Sequence, residues 1–211
     1  KINDHRIENS NYLFVDLDKK KKKSGELKIN LIKDGKVHSS INYEIKTRDQ
    51  HTNKESFNSS DVIYLLMPDR FANGDSSNDI HSSVSEKTNR NDKDGRHGGD
   101  IKGIIDHLDY LEDLGVTALW STPMLEDNAP KVSYHTYAQS NVYRIDPRYG
   151  TNEDYRYLAN ALHQRNMKLI MDYVTNHWGI EHWMIKDLPS SDWIHQFEKY
   201  TNTNHRKEIH S

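Results

Sequence analysis

Residues Asp172-Tyr-Val-Thr-Asn-His177 place a carboxylate, an amide and an imidazole directly after the apolar run Met167-Lys-Leu-Ile-Met171. That run has the length and composition of a buried parallel strand. Loops at the C-terminal ends of such strands converge on a common mouth, so polar groups there are placed to hold a ligand. A lone histidine is usually a surface or packed residue. The position of His177 at a strand end, close after Asp172, gives a binding role equal weight. Neither zinc-type histidine spacing nor a Ser–His–Asp arrangement stands out.

Two further groups of residues could do chemistry. Asn73-Gly-Asp75-Ser-Ser-Asn78-Asp79 gathers oxygen-bearing side chains around a glycine, and Asp100 follows Gly98-Gly99 at the far end of the same loop. Hard cations such as calcium take about six to eight oxygen ligands, which a tight loop can supply. The same composition also makes an ordinary polar turn. Asn91-Asp-Lys-Asp94-Gly95 fails as an EF-hand loop, because Arg90 and Ile101 fall where ligands are required. Tyr134-His135-Thr-Tyr137 joins aromatic faces to an imidazole, which suits a sugar: its C–H face stacks on a ring and its hydroxyls need fixed polar partners. These tyrosines could equally pin the loop to the body of the protein.

The elements that must position these groups follow from periodicity and punctuation. Residues 1–55 read as β structure, with strands over 12–17, 26–32 and 37–45 and an Asp34-Gly35 hairpin signal between the last two. Residues 49–60 read as a linker. The pattern then becomes strand (62–67), long polar loop, helix (101–114, ending at Gly115), strand (116–120), helix (from the Thr151/Asn152 caps to Gln164, with Asn166 as terminator) and strand (167–173). Alternating strands and helices imply parallel crossovers, as in a doubly wound sheet or a (β/α)8 barrel. Gly98-Gly99 follows a loop, not a strand, so no dinucleotide fingerprint is present.

Composition removes other classes. The 211 residues carry a formal charge of −3, too small to indicate a nucleic-acid partner. The Lys19–Lys23 run reads as a solvated hairpin loop. The absence of cysteine excludes disulfides and thiolate metal sites. No apolar run is long enough for a transmembrane helix, and the N-terminal Lys1-Ile-Asn-Asp is not a signal peptide.

Taken together, the motifs resemble the α-amylase family of glycoside hydrolases (glycoside hydrolase family 13), in its neopullulanase and cyclomaltodextrinase branch. The matching segments are Pro68-Asp-Arg-Phe-Ala-Asn-Gly-Asp75 with Asn78-Asp79, His97-Gly-Gly-Asp100, Leu119-Trp-Ser-Thr-Pro123, Tyr134-His-Thr-Tyr137 with Ile145-Asp-Pro-Arg-Tyr-Gly150, and Asp172-Tyr-Val-Thr-Asn-His177. They stand in family order. Thr136 and Gln139-Ser140 depart from the expected Gly and Thr-Asp pair.

The resemblance implies an α/β fold: the end of a β-sandwich domain (1–55), the first three strand–helix units of a (β/α)8 barrel (61–177), and the start of an insertion after the third barrel strand (178–211). It implies calcium held by Asn73, Asp75, Asn78, Asp79, the Gly98 carbonyl and Asp100. It implies α-glucan contacts from Tyr137, by stacking, and from His135, Asp172 and His177. It implies retaining hydrolysis of α-1,4 or α-1,6 glucosidic bonds in starch, maltodextrin or pullulan, with a periplasmic or secreted home by family habit. Retention needs two carboxyls about 5–5.5 Å apart. The family carries them on later strands, in patterns that do not occur after His177, so no catalytic residue is assigned and the chain is expected to be an N-terminal fragment of the enzyme. A non-catalytic glucan-binding or partner protein on the same scaffold is the alternative.

Overall fold

A computed structural model describes residues 2–3, 9–16, 24–46 and 56–195. The Lys19–Lys23 run and linker residues 49–55 lie outside the described residues. The chain divides into two compact units, residues 1–55 with 188–211, and residues 56–187.

In the first unit, β1 (Ile2–Asn3) pairs antiparallel with β2 (Phe14–Val15). β2 is shorter than the strand expected over 12–17. β3 (Gly25–Lys33) and β4 (Lys36–Ile45) form an antiparallel hairpin in which Leu27 faces Tyr43 and Ile29 faces Ile41. Asp34 and Gly35 sit at φ 52° and 74°. Two successive positive φ values match the right-handed twist of the flanking strands, which is why Asp-Gly marks the turn. Leu27, Ile29 and Leu31 are half-buried while Lys28 and Asn30 are exposed, the period-two alternation of a one-sided sheet.

The second unit is built on a three-stranded parallel sheet, β5 (Ile63–Leu66), β6 (Ala118–Ser121) and β9 (Lys168–Met171), in the order β5-β6-β9. Leu65, Trp120 and Ile170 lie in one register row. A short helix α1 (Pro68–Phe71) follows β5, and α2 (Ile101–Asp106) and α3 (Leu108–Asp113) precede β6. The single helix expected over 101–114 is therefore two. The break falls at His107 (φ −116°, ψ 17°), where the ring Nδ1–H donates to the Gly103 carbonyl at 2.7 Å. That carbonyl is the one an unbroken helix would offer to the His107 N–H, which bonds Ile104 instead; the ring also meets Phe71 edge-on at 5.6 Å. Between β6 and β9, β7 (Leu125–Glu126) pairs antiparallel with β8 (Asn141–Ile145). α4 (Asn152–Gln164) then starts from a full capping box between Thr151 and Asp154, satisfying two backbone donors reciprocally. Asn166 ends it at φ 56°.

Ile101, Ile104, Leu108 and Leu111 from α2–α3, Leu158 and Leu162 from α4, Leu66 and Leu119 from the sheet, and Met167 just before β9 bury into one core. Each such side chain stabilises the fold by about 1.5–3 kcal/mol. The N-terminal rim of the sheet is tied by Asp61. Its carboxylate accepts from Lys168 Nζ (2.7 Å), Asn58 N (2.7 Å) and Thr117 Oγ1 (2.8 Å), and these donors, Lys168 foremost, lower its pKa to about 2. A lowered carboxylate pKa gives stability that is present above its unfolded value near 3.8 and lost as pH falls through about 2. Asp61→Asn is expected to remove that component. Melting temperatures measured between pH 4 and 2 should then fall less in the variant than in the wild type; parallel curves would contradict the assignment. Asp127 works in a separate window. Burial pushes its carboxyl up to about 6, so its share of stability declines as pH rises from about 4 to 6.

Candidate functional site

The four residues expected to touch sugar are brought together at the C-terminal edge of the sheet. Asp172 directly follows β9. Its Oδ2 accepts from the Tyr137 hydroxyl at 3.0 Å and from Trp120 Nε1, on β6, at 3.3 Å. Tyr137 is thereby braced at its far end while its ring remains 38% exposed, as does Trp120. Burial, followed by the Asp172 carboxylate, raises the pKa of the Tyr137 hydroxyl, which stays a donor. His177 Nε2 lies 3.2 Å from the Tyr137 carbonyl and can only donate to it. The Tyr137 N–H donates to His135 Nδ1 at 3.0 Å. Desolvation lowers the His135 pKa, and with Nδ1 accepting, the neutral ring carries its proton on Nε2. The His135 and Tyr137 rings tilt together at 5.8 Å. The result is an exposed aromatic face edged by an imidazole donor, held from behind by a carboxylate and two other side chains.

Sequence reasoning misses three residues that serve this cluster. Trp120 stands in a strand and in the Leu119-Trp-Ser-Thr-Pro123 motif, but no site contact is assigned to it. Glu86 and Arg96, which grip the loop carrying Tyr134–Tyr137, lie in a polar stretch that gives no periodic signal.

The oxygen-rich loop closes on itself. Asn73 Nδ2 donates to Asp79 Oδ1 at 2.7 Å, and Ser77 donates to Asp75 Oδ1 through its N–H and its hydroxyl, which lowers the Asp75 pKa. Gly98 sits at φ 86°, and a Cβ there would come within 2.6 Å of Asp79 Oδ1 and 2.9 Å of Asn73 Nδ2. Thus Asn73, Asp79 and the Gly98 backbone crowd one spot. Asn78 Oδ1 is buried without a hydrogen-bond partner among the described residues, an unusual state for a buried acceptor. Both observations fit an oxygen-seeking cation. Asp100 plays another part in this structure. Its Oδ1 accepts from Gly74 N and, as N-cap of α2, from Gly103 N; its Oδ2 accepts from Asp75 N and Asn78 Nδ2. Those four donors take the carboxylate's four acceptor positions. Among the described residues no group of three or more His, Asp or Glu side chains is placed to hold a metal, so a cation here needs amide and carbonyl oxygens beside the Asp75 and Asp79 carboxylates.

Buried charges tie the loops together. Arg148 Nε and a terminal nitrogen reach the two oxygens of Asp146 at 2.8 and 2.7 Å, and the guanidinium also donates to the Glu86 and Asp127 carbonyls. Asp69 accepts from His97 N and Gly98 N, tying the end of the long loop to α1. A buried charge is tolerated only when paired and hydrogen-bonded in this way.

A parallel sheet with an aromatic and imidazole cluster at its C-terminal edge and an oxygen-rich loop beside it defines a class, and the sequence places the chain in it. The profile described as "Alpha amylase, catalytic domain" matches residues 65–208, more than half of the chain, and the chain belongs to that family. The profile "Cyclomaltodextrinase, N-terminal" matches residues 2–49. Neopullulanase 2 of Thermoactinomyces vulgaris is 42% identical over 128 residues, covering 60% of this chain and 21% of that protein. Among solved structures, an Anoxybacillus α-amylase is similar at TM-score 0.60 and 37% identity, covering 68% of this chain and 30% of that one. The α-amylase of Geobacillus thermoleovorans, complexed with acarbose, is similar at TM-score 0.55 and 36% identity, covering 68% and 29%. The chain therefore spans about a fifth of the first relative and under a third of either structure. Among the described residues no helix is long and apolar enough to cross a membrane.

Proposed function

We propose that this chain is the sugar-gripping, calcium-stabilised section of an α-glucan hydrolase. The complete protein would cleave α-1,4 or α-1,6 glucosidic bonds of starch, maltodextrin or pullulan with retention. The observation that carries this reading is the braced Tyr137 ring, exposed beside His135 and held by Asp172 and His177 at the edge of a parallel sheet.

The family and the sheet support a (β/α)8 barrel of which β5, β6 and β9 are the first three strands with the two helical connections between them, preceded by the end of a β-sandwich over 1–55. Among the described residues only 3-10 turns follow β9, so the third of the expected strand–helix units lacks its helix there. Leu65 and Trp120 are exposed in one register row. Parallel sheets are covered on both faces, so this row is where further strands would close over the sheet. The carboxylates at the strand ends support a binding rather than a bond-breaking role. Asp69 is buried against backbone donors and arginines, and Asp172 is bound by Tyr137 and Trp120. A retaining pair about 5–5.5 Å apart would come from the rest of the barrel.

Calcium would be held by Asn73, Asp75, Asn78, Asp79 and the Gly98 carbonyl. Asp100 stands behind them and joins as a ligand only by releasing one of its donors. The ion would supply charge that ties the loop's carboxylates together. A ligand that binds only the folded state stabilises it by about 2.7 kcal/mol at a hundredfold excess over Kd. Calcium is thus expected to raise the melting temperature of the full-length protein by several degrees, and an Asp75→Ala, Asp79→Ala variant should lose the shift. No shift, or an equal shift in the variant, would contradict the site. For the sugar site, calorimetric titration of the full-length protein with acarbose should show binding; absence of binding would sink the reading.

A further inference from the structure

We propose that Glu86 and Arg96, two charged side chains on the long loop between α1 and α2, are positioning residues that hold segment 132–137 in the shape that presents Tyr137 and His135 to the sugar. The proposal rests on the sugar-binding reading above.

The segment is strained at both ends. Val132 and Thr136 lie at φ 62° and 57°, the left-handed region that β-branched residues avoid. Such conformations cost about 1–3 kcal/mol each and persist only where the surroundings over-determine them. Between them runs a single 3-10 turn, Ser133–His135, too short to hold itself. What holds it comes from far along the chain. Glu86 Oε1 accepts the Val132 N–H at 3.0 Å and its Oε2 accepts the Ser133 N–H at 2.6 Å. One carboxylate thus spans the strained residue and the first residue of the turn. Arg96 is buried and donates to the Ser133 carbonyl at 3.0 Å. Its Nε pairs with Asp69 at 3.7 Å, too long for a hydrogen bond, and its guanidinium lies over the Tyr149 ring at 4.7 Å. The Tyr149 hydroxyl takes the next carbonyl, that of Tyr134, at 2.7 Å.

At the other end, the Thr136 hydroxyl donates to the Pro123 carbonyl. Successive backbone groups of the turn are therefore claimed by side chains rather than by a ladder. Glu86 grips the strained entry. Without its carboxylate, Val132 is free to return to negative φ, which rotates the chain entering the turn and swings the rings that follow. Displacement of a contact group by about 1 Å is enough to cost a large factor in recognition.

The test is acarbose calorimetry on the full-length protein, with Tyr137→Ala as reference. Glu86→Ala is expected to weaken binding about tenfold. Glu86→Gln keeps one carbonyl oxygen as acceptor and should lose less. A second substitution reports on mechanism. Asparagine enters the left-handed region readily, so Val132→Asn in the Glu86→Ala background should recover several-fold in affinity. A merely structural role would lower the melting temperature and leave affinity at 25 °C unchanged, with no recovery from Val132→Asn. Should Glu86→Ala fail to fold, Glu86→Gln with and without Val132→Asn makes the same comparison. If Tyr137→Ala weakens binding while the Glu86 variants match the wild type, or if Val132→Asn restores nothing, the positioning role is overturned and the sugar site stands. If Tyr137→Ala itself binds as the wild type does, the sugar-site reading fails and takes the positioning role with it.

Discussion

Gly103→Ala is expected to destabilise the protein by about 3 kcal/mol, against the ordinary direction of such a change. In an exposed helix interior, alanine is favoured over glycine by about 1 kcal/mol. Here the first turn of α2 packs directly on the end of α1, and a Cβ at Gly103 would lie 2.0 Å from the Ala72 carbonyl oxygen and 2.5 Å from its carbon. Both are backbone atoms, so no rotamer change relieves the clash. The Asp100 N–H donates to that same Ala72 carbonyl, and Asp100 clasps the oxygen-rich loop. The helix cannot retreat without opening the loop. Gly99 stands in the same relation to Pro68, with a Cβ position 2.0 Å from its carbonyl. Urea denaturation of the full-length protein should show a lower midpoint for Gly103→Ala. Calcium should bind more weakly to the variant, since the loop would have to be reassembled. A midpoint equal to or above that of the wild type would contradict the packing of α2 on α1.

Tyr137→Ala is expected to weaken acarbose binding by about 10–100-fold, the size of effect that an anchoring aromatic produces. The prediction separates two contributions. Tyr137→Phe keeps the ring and removes only the hydroxyl that donates to Asp172. If the ring face carries recognition, phenylalanine should cost only a few-fold, through loss of bracing. If the hydroxyl is the recognition element, phenylalanine and alanine should be equally poor. Calorimetry on the three proteins decides between them. Equal binding in all three would remove Tyr137 from the site.

The elements are legible in the sequence wherever the signal is local. Asp34-Gly35 marks a hairpin because few residues besides glycine and short polar ones accept two positive φ values in a row. Thr151 announces α4 because its hydroxyl and the Asp154 carboxylate complete a capping box within four residues. Apolar runs place β5, β6 and β9 to within two residues, since strands of a parallel sheet read as near-continuous hydrophobic stretches, although β9 is half-buried or exposed along its length rather than buried as its composition suggests. The break at His107 is not legible: the apolar spacing of residues 101–114 runs on unbroken, and only a side chain bonding back to Gly103 interrupts the backbone ladder. The pairing of β7 with β8 depends on two short segments whose register shifts at Leu125/Glu126, leaving no run long enough to show a period.

At the candidate site, residue types show which side chains gather better than how they are wired. His135, Tyr137, Asp172 and His177 converge, although they come from two segments far apart in the chain. Asp100 shows the limit. A carboxylate after two glycines suggests a ligand. Whether its lone pairs face a cation or four N–H groups is settled by where α2 starts. Glu86 and Arg96 are invisible for a related reason: in a loop rich in polar side chains, nothing in the sequence marks which charges point inward.

If this chain belongs to a retaining α-glucan hydrolase, the anomeric form of the first product will show it. The full-length protein would be incubated with maltotetraose and the reducing ends followed by proton NMR before mutarotation equilibrates them. Cleavage should release the α-anomer first, as two successive displacements at the anomeric carbon require. Cleavage yielding the β-anomer first, or no cleavage by a folded protein that still binds acarbose, would contradict it; the latter outcome would leave a glucan-binding protein on the same scaffold.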